Sequence, residues 1–239
     1  MREKELLEFS AKIGVTFNDL ALLNEALTHR SFLNENRSGP QSNNERMEFL
    51  GDAVLELIVS EHLFHAYTDH PEGDLTSFRA ATVKTESLAE ESRKIEAGKY
   101  LQMSKGEEAT GGKDKDYLLA NVYESILGAI YMDQGYEACK KFVEATLLPK
   151  ITNIVENRLD IDSKTKFQEV AQRMYRITPT YKLITAEGPD HEKQFTMAVM
   201  VGKHEMGQGT GPSKQKAEES AATEALNKLD KMDKTTKIA

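Results

Sequence analysis

The spacing of apolar residues changes character once along this chain, near residue 156, and that change divides whatever it folds into. Before it, apolar side chains recur every three or four residues in Glu3 to Ile13, Phe17 to Thr28, Asn44 to Ala66, Leu75 to Ala97, Asp116 to Asp133 and Tyr136 to Val155. That period lays them along one stripe of a helix, so the first part reads as an all-α domain ending near Ile154. Asn18, followed by Asp19, marks a capped helix start, Asn43 or Asn44 caps the next helix, and Asn34 to Ser42, with Gly39-Pro40, is a loop. After a short polar stretch, Lys164 to Arg176 is again helical, Thr180 to Glu187, Gln194 to Val201 and Lys203 to Gly209 alternate as strands, and Ser213 to Asp230 is helical. Gly188-Pro189-Asp190 and Gly202 supply the turns. The expected layout is a helical domain over residues 1–156, a linker over 157–162, a small α+β domain of order α-β-β-β-α over 163–231, and a flexible tail over 232–239.

Composition narrows the functional classes. No apolar run approaches the roughly 20 residues a membrane span needs, and no membrane partner is expected. Cys139 is the only cysteine, which rules out an intramolecular disulfide and starves a cysteine-based zinc site of ligands; a reducing cytoplasm suits the chain. The formal charge of −8 argues superficially against a nucleic-acid partner. It conceals a split, however: residues 1–161 carry 18 basic and 28 acidic side chains, whereas residues 162–230 carry 10 of each. Surplus acid in the first part suits a carboxylate metal site, and a neutral second part can still gather basic groups on one face.

The segment from Asn44 to Ile58 is apolar enough for a buried helix, yet it holds Glu45, Glu48 and Asp52 at i, i+3 and i+7, along one helical face. Like charges at that spacing repel, more so among Met47, Phe49, Leu50 and Val54. They are either a solvated stripe or a ligand set for a hard divalent cation, Mg²⁺ with Mn²⁺ able to substitute. A second polar pair, Asn121 and Glu124, sits at i, i+3 in an equally apolar run, and helical bundles build metal sites from two such helices.

The segment Asn44-Glu-Arg-Met-Glu-Phe-Leu-Gly-Asp-Ala-Val-Leu closely resembles the signature of the ribonuclease III family, which usually has Leu where this chain has Met47. Ala26-Leu-Thr-His-Arg-Ser-Phe, Glu72-Gly-Asp-Leu-Thr with Arg79, and Gly128-Ala-Ile-Tyr-Met-Asp-Gln-Gly-Tyr support it. The resemblance implies an all-α endonuclease domain followed by a small α+β double-stranded-RNA-binding domain. It implies a homodimer joined through the signature helix, with Phe49 in the contact, cutting double-stranded RNA with Mg²⁺ to leave 5′-phosphate and 3′-hydroxyl ends and a 3′ overhang. Glu48, Asp52 and Glu124 would be metal ligands and catalytic, Asn121 a fourth ligand, and Glu45 a nearby acid. The family usually has Asp where this chain has Asn121. Natural variation in an active lineage, a deliberate substitution, or a lineage that binds RNA without cutting it would each explain the change, so a non-cleaving RNA-binding dimer is the alternative.

The C-terminal order, with Gly207-Gln-Gly-Thr-Gly-Pro-Ser-Lys-Gln-Lys-Ala-Glu-Glu-Ser-Ala-Ala before the last helix, resembles a double-stranded-RNA-binding domain from Ser163 to about Leu229. By that likeness Thr165, Gln168, Glu169 and Gln172 on its first helix, His191 in its first strand-to-strand loop, and Ser213, Lys214 and Lys216 at the start of its last helix face RNA. The family usually places a second Lys where this chain has Gln215. His29 reads as a hydrogen-bonded packing residue, since no partner ligands cluster with it in sequence.

Overall fold

The structure is a computed structural model describing residues 2–36, 42–189 and 192–236, the side chains beyond 229 excepted. It divides into two compact units, residues 1–160 and 161–239. The first is helical: α1 (Arg2–Lys12), α2 (Leu20–Ala26), α3 (Arg30–Glu35), α4 (Glu45–Ala66), α5 (Glu72–Val83), α6 (Thr85–Lys94), α7 (Ala97–Tyr100), α8 (Lys105–Ala109), α9 (Asp116–Gln134), α10 (Tyr136–Thr146) and α11 (Ile151–Glu156), with two short 3₁₀ turns. The second comprises α12 (Ser163–Tyr175), β1 (Thr180–Glu187), β2 (Gln194–Val201), β3 (His204–Gly211) and α13 (Lys214–Thr236).

Two helices, α4 and α9, form the axis of the first unit. Both are apolar on most sides: Val54, Leu55, Ile58, Val59 and Leu63 of α4 are buried, as is nearly every residue of α9 from Leu118 to Ile130. They cross with their backbones in contact. A Cβ on Gly51 would stand 1.8 Å from the Glu124 carbonyl oxygen, and one on Gly128 would stand 2.1 Å from that of Met47. Only glycine permits such an approach, which brings Asp52 and Glu124, each next to a contact point, to the same place. The N-terminal end of α4 is pinned by the Asn44 N–H, which donates to Thr28 O at 2.9 Å, and α9 is tied to the end of α2 by Ser125 Oγ, which donates to Ala26 O at 2.8 Å.

Several expected boundaries move. Asp19, rather than Asn18, caps α2, its carboxylate accepting the Ala21 N–H at 2.8 Å. Asn43 contributes the side-chain acceptor for the Glu45 N–H at 3.1 Å, while Asn44 occupies the cap position without a side-chain bond. The run expected as one helix from Leu75 to Ala97 is broken at Lys84, which is extended (φ −61°, ψ 153°), and Pro149 interrupts the run after Tyr136. Of the segment expected as a linker, residues 157–160 stay with the first unit: Arg158 pairs with Asp160 at 3.1 Å and lies 5.6 Å over the Phe78 ring. Asp162 instead caps α12, accepting the Lys164 N–H at 2.9 Å. At the far end α13 continues to Thr236, through residues 232–236 that were expected as tail.

In the second unit the strands form one antiparallel sheet in the order β1-β2-β3. Gly202, at φ +61°, opens the two-residue turn between β2 and β3. Gly207, Gly209 and Gly211 take alternate places along β3, and a Cβ on any of them would come within 2.9 Å of the α13 backbone near Ala217, Ala221 and Ala225. Helix and strand thus meet backbone to backbone, sealing a core of Phe167, Ala171, Val199 and Val201.

Replacing Gly128 with Ala forces α4 and α9 apart. The expected loss is about 1–3 kcal/mol of unfolding free energy, with a matching loss of activity, because the same displacement separates Glu124 from Asp52. Urea unfolding of Gly128→Ala measures the first, and unchanged stability would refute the crossing.

Candidate active site

Beside the crossing lies a cavity of about 570 Å³, lined among others by His29, Asn44, Glu45, Glu48, Tyr117 and Asn121. Glu48 and Asn121 are half-buried, Glu124 is half-buried on the neighbouring turn of α9, and Asp52 is exposed on α4. The carboxylates sense one another. Burial first, then the charges of Asp52 and Glu48, push Glu124 up to about 8. Glu48 is raised by burial, by Glu45 and by Asp52, with the Asn121 side chain, hydrogen-bonded to it, opposing the rise. Glu45, at the rim, forms an exposed ion pair with Arg30 at 3.5 Å.

The positions expected for a metal site are therefore neighbours, and their chemistry fits a hard divalent cation: carboxylate oxygens, one amide oxygen, and surplus negative charge. As the side chains lie, no group of three or more His, Cys, Asp or Glu among the described residues is gathered tightly enough to hold an ion. The crossing fixes the backbones that carry the donors, not a finished ligand shell.

The cavity also includes residues that sequence reasoning left out. His29, read as packing, is the N-cap of α3, but it is also part of the cavity wall. Burial holds its imidazole below the usual pKa, opposed by Glu107, which lines the same cavity and pairs with Lys115 at 2.8 Å. Tyr117, an exposed aromatic at the start of α9, carried no motif to flag it. The bond from Asn44 N–H to Thr28 O draws the motif around His29 onto the start of the acidic helix, a contact that no spacing in the sequence signals.

On the outer side of α4, Phe49 is 81% exposed, and Leu57 and Phe64 continue its stripe at 57% and 67%. A cavity of about 560 Å³, lined by Met47, Leu50 and Met132 among others, adjoins Phe49.

In the second unit Thr165, Gln168, Glu169 and Gln172 share one exposed face of α12, although the Thr165 hydroxyl is held by Asp162 at 2.7 Å and Gln172 by Thr178 at 3.2 Å. Ser213 spends its hydroxyl on the α13 cap, accepting the Lys216 N–H at 3.2 Å, and Lys216 pairs with Glu219 at 3.0 Å. Lys214 is exposed at the helix start without an ion pair among the described residues. His191 lies outside the described residues.

Residues 19–151 match the Ribonuclease-III-like family and residues 163–229 the double-stranded RNA binding motif. The chain belongs to the ribonuclease III family. It is an endoribonuclease by that membership. Ribonuclease 3 of Pelotomaculum thermopropionicum is 46% identical over 92% of this chain and 91% of its own length. That of Enterococcus faecalis is 43% identical over 93% and 96%. Among solved structures, the nuclease domain of ribonuclease III from Campylobacter jejuni matches with a TM-score of 0.55 at 40% identity, covering 61% of this chain and 97% of that one. That protein is described as structurally flexible in a region involved in dimer formation.

The raised Glu124 carboxyl gives this ribonuclease III domain a pH signature. Its folded pKa lies above its unfolded value, so between about 4.5 and about 8 the folded state holds a proton that the unfolded state has lost. Stability contributed by that proton is present at low pH and is lost as pH rises through about 8. In metal-free buffer Glu124→Gln is expected to flatten this decline; thermal unfolding from pH 5 to 9 measures it, and parallel curves for the two proteins would contradict the assignment.

Proposed function

We propose that this chain hydrolyses double-stranded RNA endonucleolytically, with Mg²⁺ or in its place Mn²⁺, as a homodimer, leaving 5′-phosphate and 3′-hydroxyl ends with a 3′ overhang. The observation that carries the reading is the meeting of Glu48, Asp52 and Glu124 at the α4–α9 crossing, where burial first and then the charges of Asp52 and Glu48 push Glu124 up to about 8. Such repulsion costs folding energy and is relieved by a cation. When bound, the cation supplies an activated water and neutralises charge that builds on the phosphate. Glu48, Asp52 and Glu124 are the groups that would hold it, by side-chain rotation on fixed backbones, and Asn121 offers a neutral amide oxygen. The missing fourth charge lowers cation affinity without removing the site. Glu45, engaged with Arg30, shapes the acidic rim.

Dimerisation is supported by the exposed Phe49–Leu57–Phe64 stripe and the adjoining cavity, because a two-fold axis lets the same patch serve both partners. RNA binding is supported by the exposed face of α12 and by Lys214 at the start of α13, where backbone N–H groups and helix dipole favour a phosphate. Domains of this kind read A-form shape rather than sequence. RNA processing in the cytoplasm follows as the setting.

Incubation with a long RNA duplex and Mg²⁺ tests the proposal. Short duplexes are the expected product, whereas a retarded but intact duplex would establish the non-cleaving alternative that Asn121 raises. Changing both Glu48 and Glu124 to Gln is expected to abolish cutting, at least a hundredfold, while binding in Ca²⁺ persists.

A further inference from the structure

His29 faces two ways. As the N-cap of α3, its Nδ1 accepts the Ser31 N–H at 3.3 Å and lies 2.8 Å from Ser31 Oγ. A backbone N–H only donates, so Nδ1 is the accepting nitrogen. Ser31 Oγ already accepts the Ser104 N–H at 2.9 Å and turns its own hydrogen toward the ring. The ring hydrogen is therefore on Nε2. That nitrogen has no hydrogen-bond partner among the described residues and is not among the polar atoms sealed from solvent, so the cavity wall carries an unused donor.

The rest of that wall decides what the donor can meet. Glu45, Glu48 and Glu107 line the same cavity. A phosphodiester oxygen accepts from Nε2–H but has no hydrogen to give to those carboxylates, whose charges are offset by Arg30 at Glu45 and by Lys115 at Glu107. A hydroxyl accepts from Nε2–H and donates to a carboxylate, matching both. In a nucleic acid the group with that dual capacity on every nucleotide is the ribose 2′-hydroxyl, which distinguishes RNA from DNA.

We infer that His29 is a specificity-determining contact, its Nε2–H donating to the 2′-hydroxyl of a nucleotide beside the cut, so that the nuclease domain itself senses RNA. This rests on the nuclease reading above.

Two variants separate the contact from the cap. Asn is a good helix cap and keeps an acceptor near Nδ1, but it lacks the distal donor; Gln reaches the Nε2 position with an N–H and caps poorly. His29→Asn is expected to keep its unfolding temperature and lose about 3- to 10-fold in kcat/KM on an all-ribose duplex. A single 2′-deoxy substitution at one nucleotide beside the cut should cost the wild type the same factor and His29→Asn nothing more. His29→Gln should remain sensitive to that substitution. Losses that multiply at every nucleotide tested would overturn the inference, as would normal cutting by His29→Asn with impairment of His29→Gln. A methylphosphonate, rather than a 2′-deoxy sugar, whose effect vanishes in His29→Asn would assign a phosphate instead and overturn it too. The same comparisons are read as Kd in Ca²⁺. A wild type that leaves the duplex intact in Mg²⁺ defeats the nuclease reading, while the Kd pattern still judges His29.

Discussion

The first unit depends on two helices touching backbone to backbone. Gly51 and Gly128 leave out side-chain atoms that would collide with the facing backbone and hold α4 and α9 farther apart, and the apolar residues around both helices make separation costly. Each glycine lies within four residues of an acid: Gly51 adjoins Asp52 and follows Glu48, and Gly128 follows Glu124 by one helical turn. Packing that buries a core therefore also compresses a set of like charges. The second unit repeats the device for a different end, with three glycines of β3 admitting the alanine face of α13.

Compression has an electrostatic consequence. Glu124, the most buried of the three acids, answers by holding a proton, first because burial disfavours its charge and then because Asp52 and Glu48 lie near it. A protonated acid at neutral pH surrounded by oxygen donors is a site prepared for a cation, since metal and proton compete for the same lone pairs. Among the described residues the side-chain oxygens are not gathered into an ion-sized group, so what the crossing fixes is the backbone that carries them.

Much of this was legible in the residues, and the exceptions have physical reasons. The strands were readable because Phe195, Met197, Val199 and Val201 alternate through β2 and Tyr181 and Leu183 begin the same alternation in β1 before a bulge at Ile184 breaks it, and β3 starts one residue late and runs on to Gly211 because its glycines pack on α13 rather than ending the strand. Helices α3, α7 and α8, of six, four and five residues, are too short to show a period and are held by tertiary contacts. The break at Lys84 was invisible because buried residues continue on both sides, Phe78 and Ala81 before it, Leu88 and Ala89 after it. At the site, spacing revealed which acids share a helical face but not that Gly51 and Gly128 set their separation. His29 was missed because its role depends on Glu45 and Glu48, which meet it only after folding.

If burial at the crossing traps a proton on Glu124, a divalent cation that binds there must displace it. Calorimetric titration of the metal-free protein with Mg²⁺ at pH 7, in two buffers of different ionisation enthalpy, counts protons directly. Release of about one proton per site is expected from the wild type and essentially none from Glu124→Gln. Binding with no proton released, or equal release from both proteins, would contradict it.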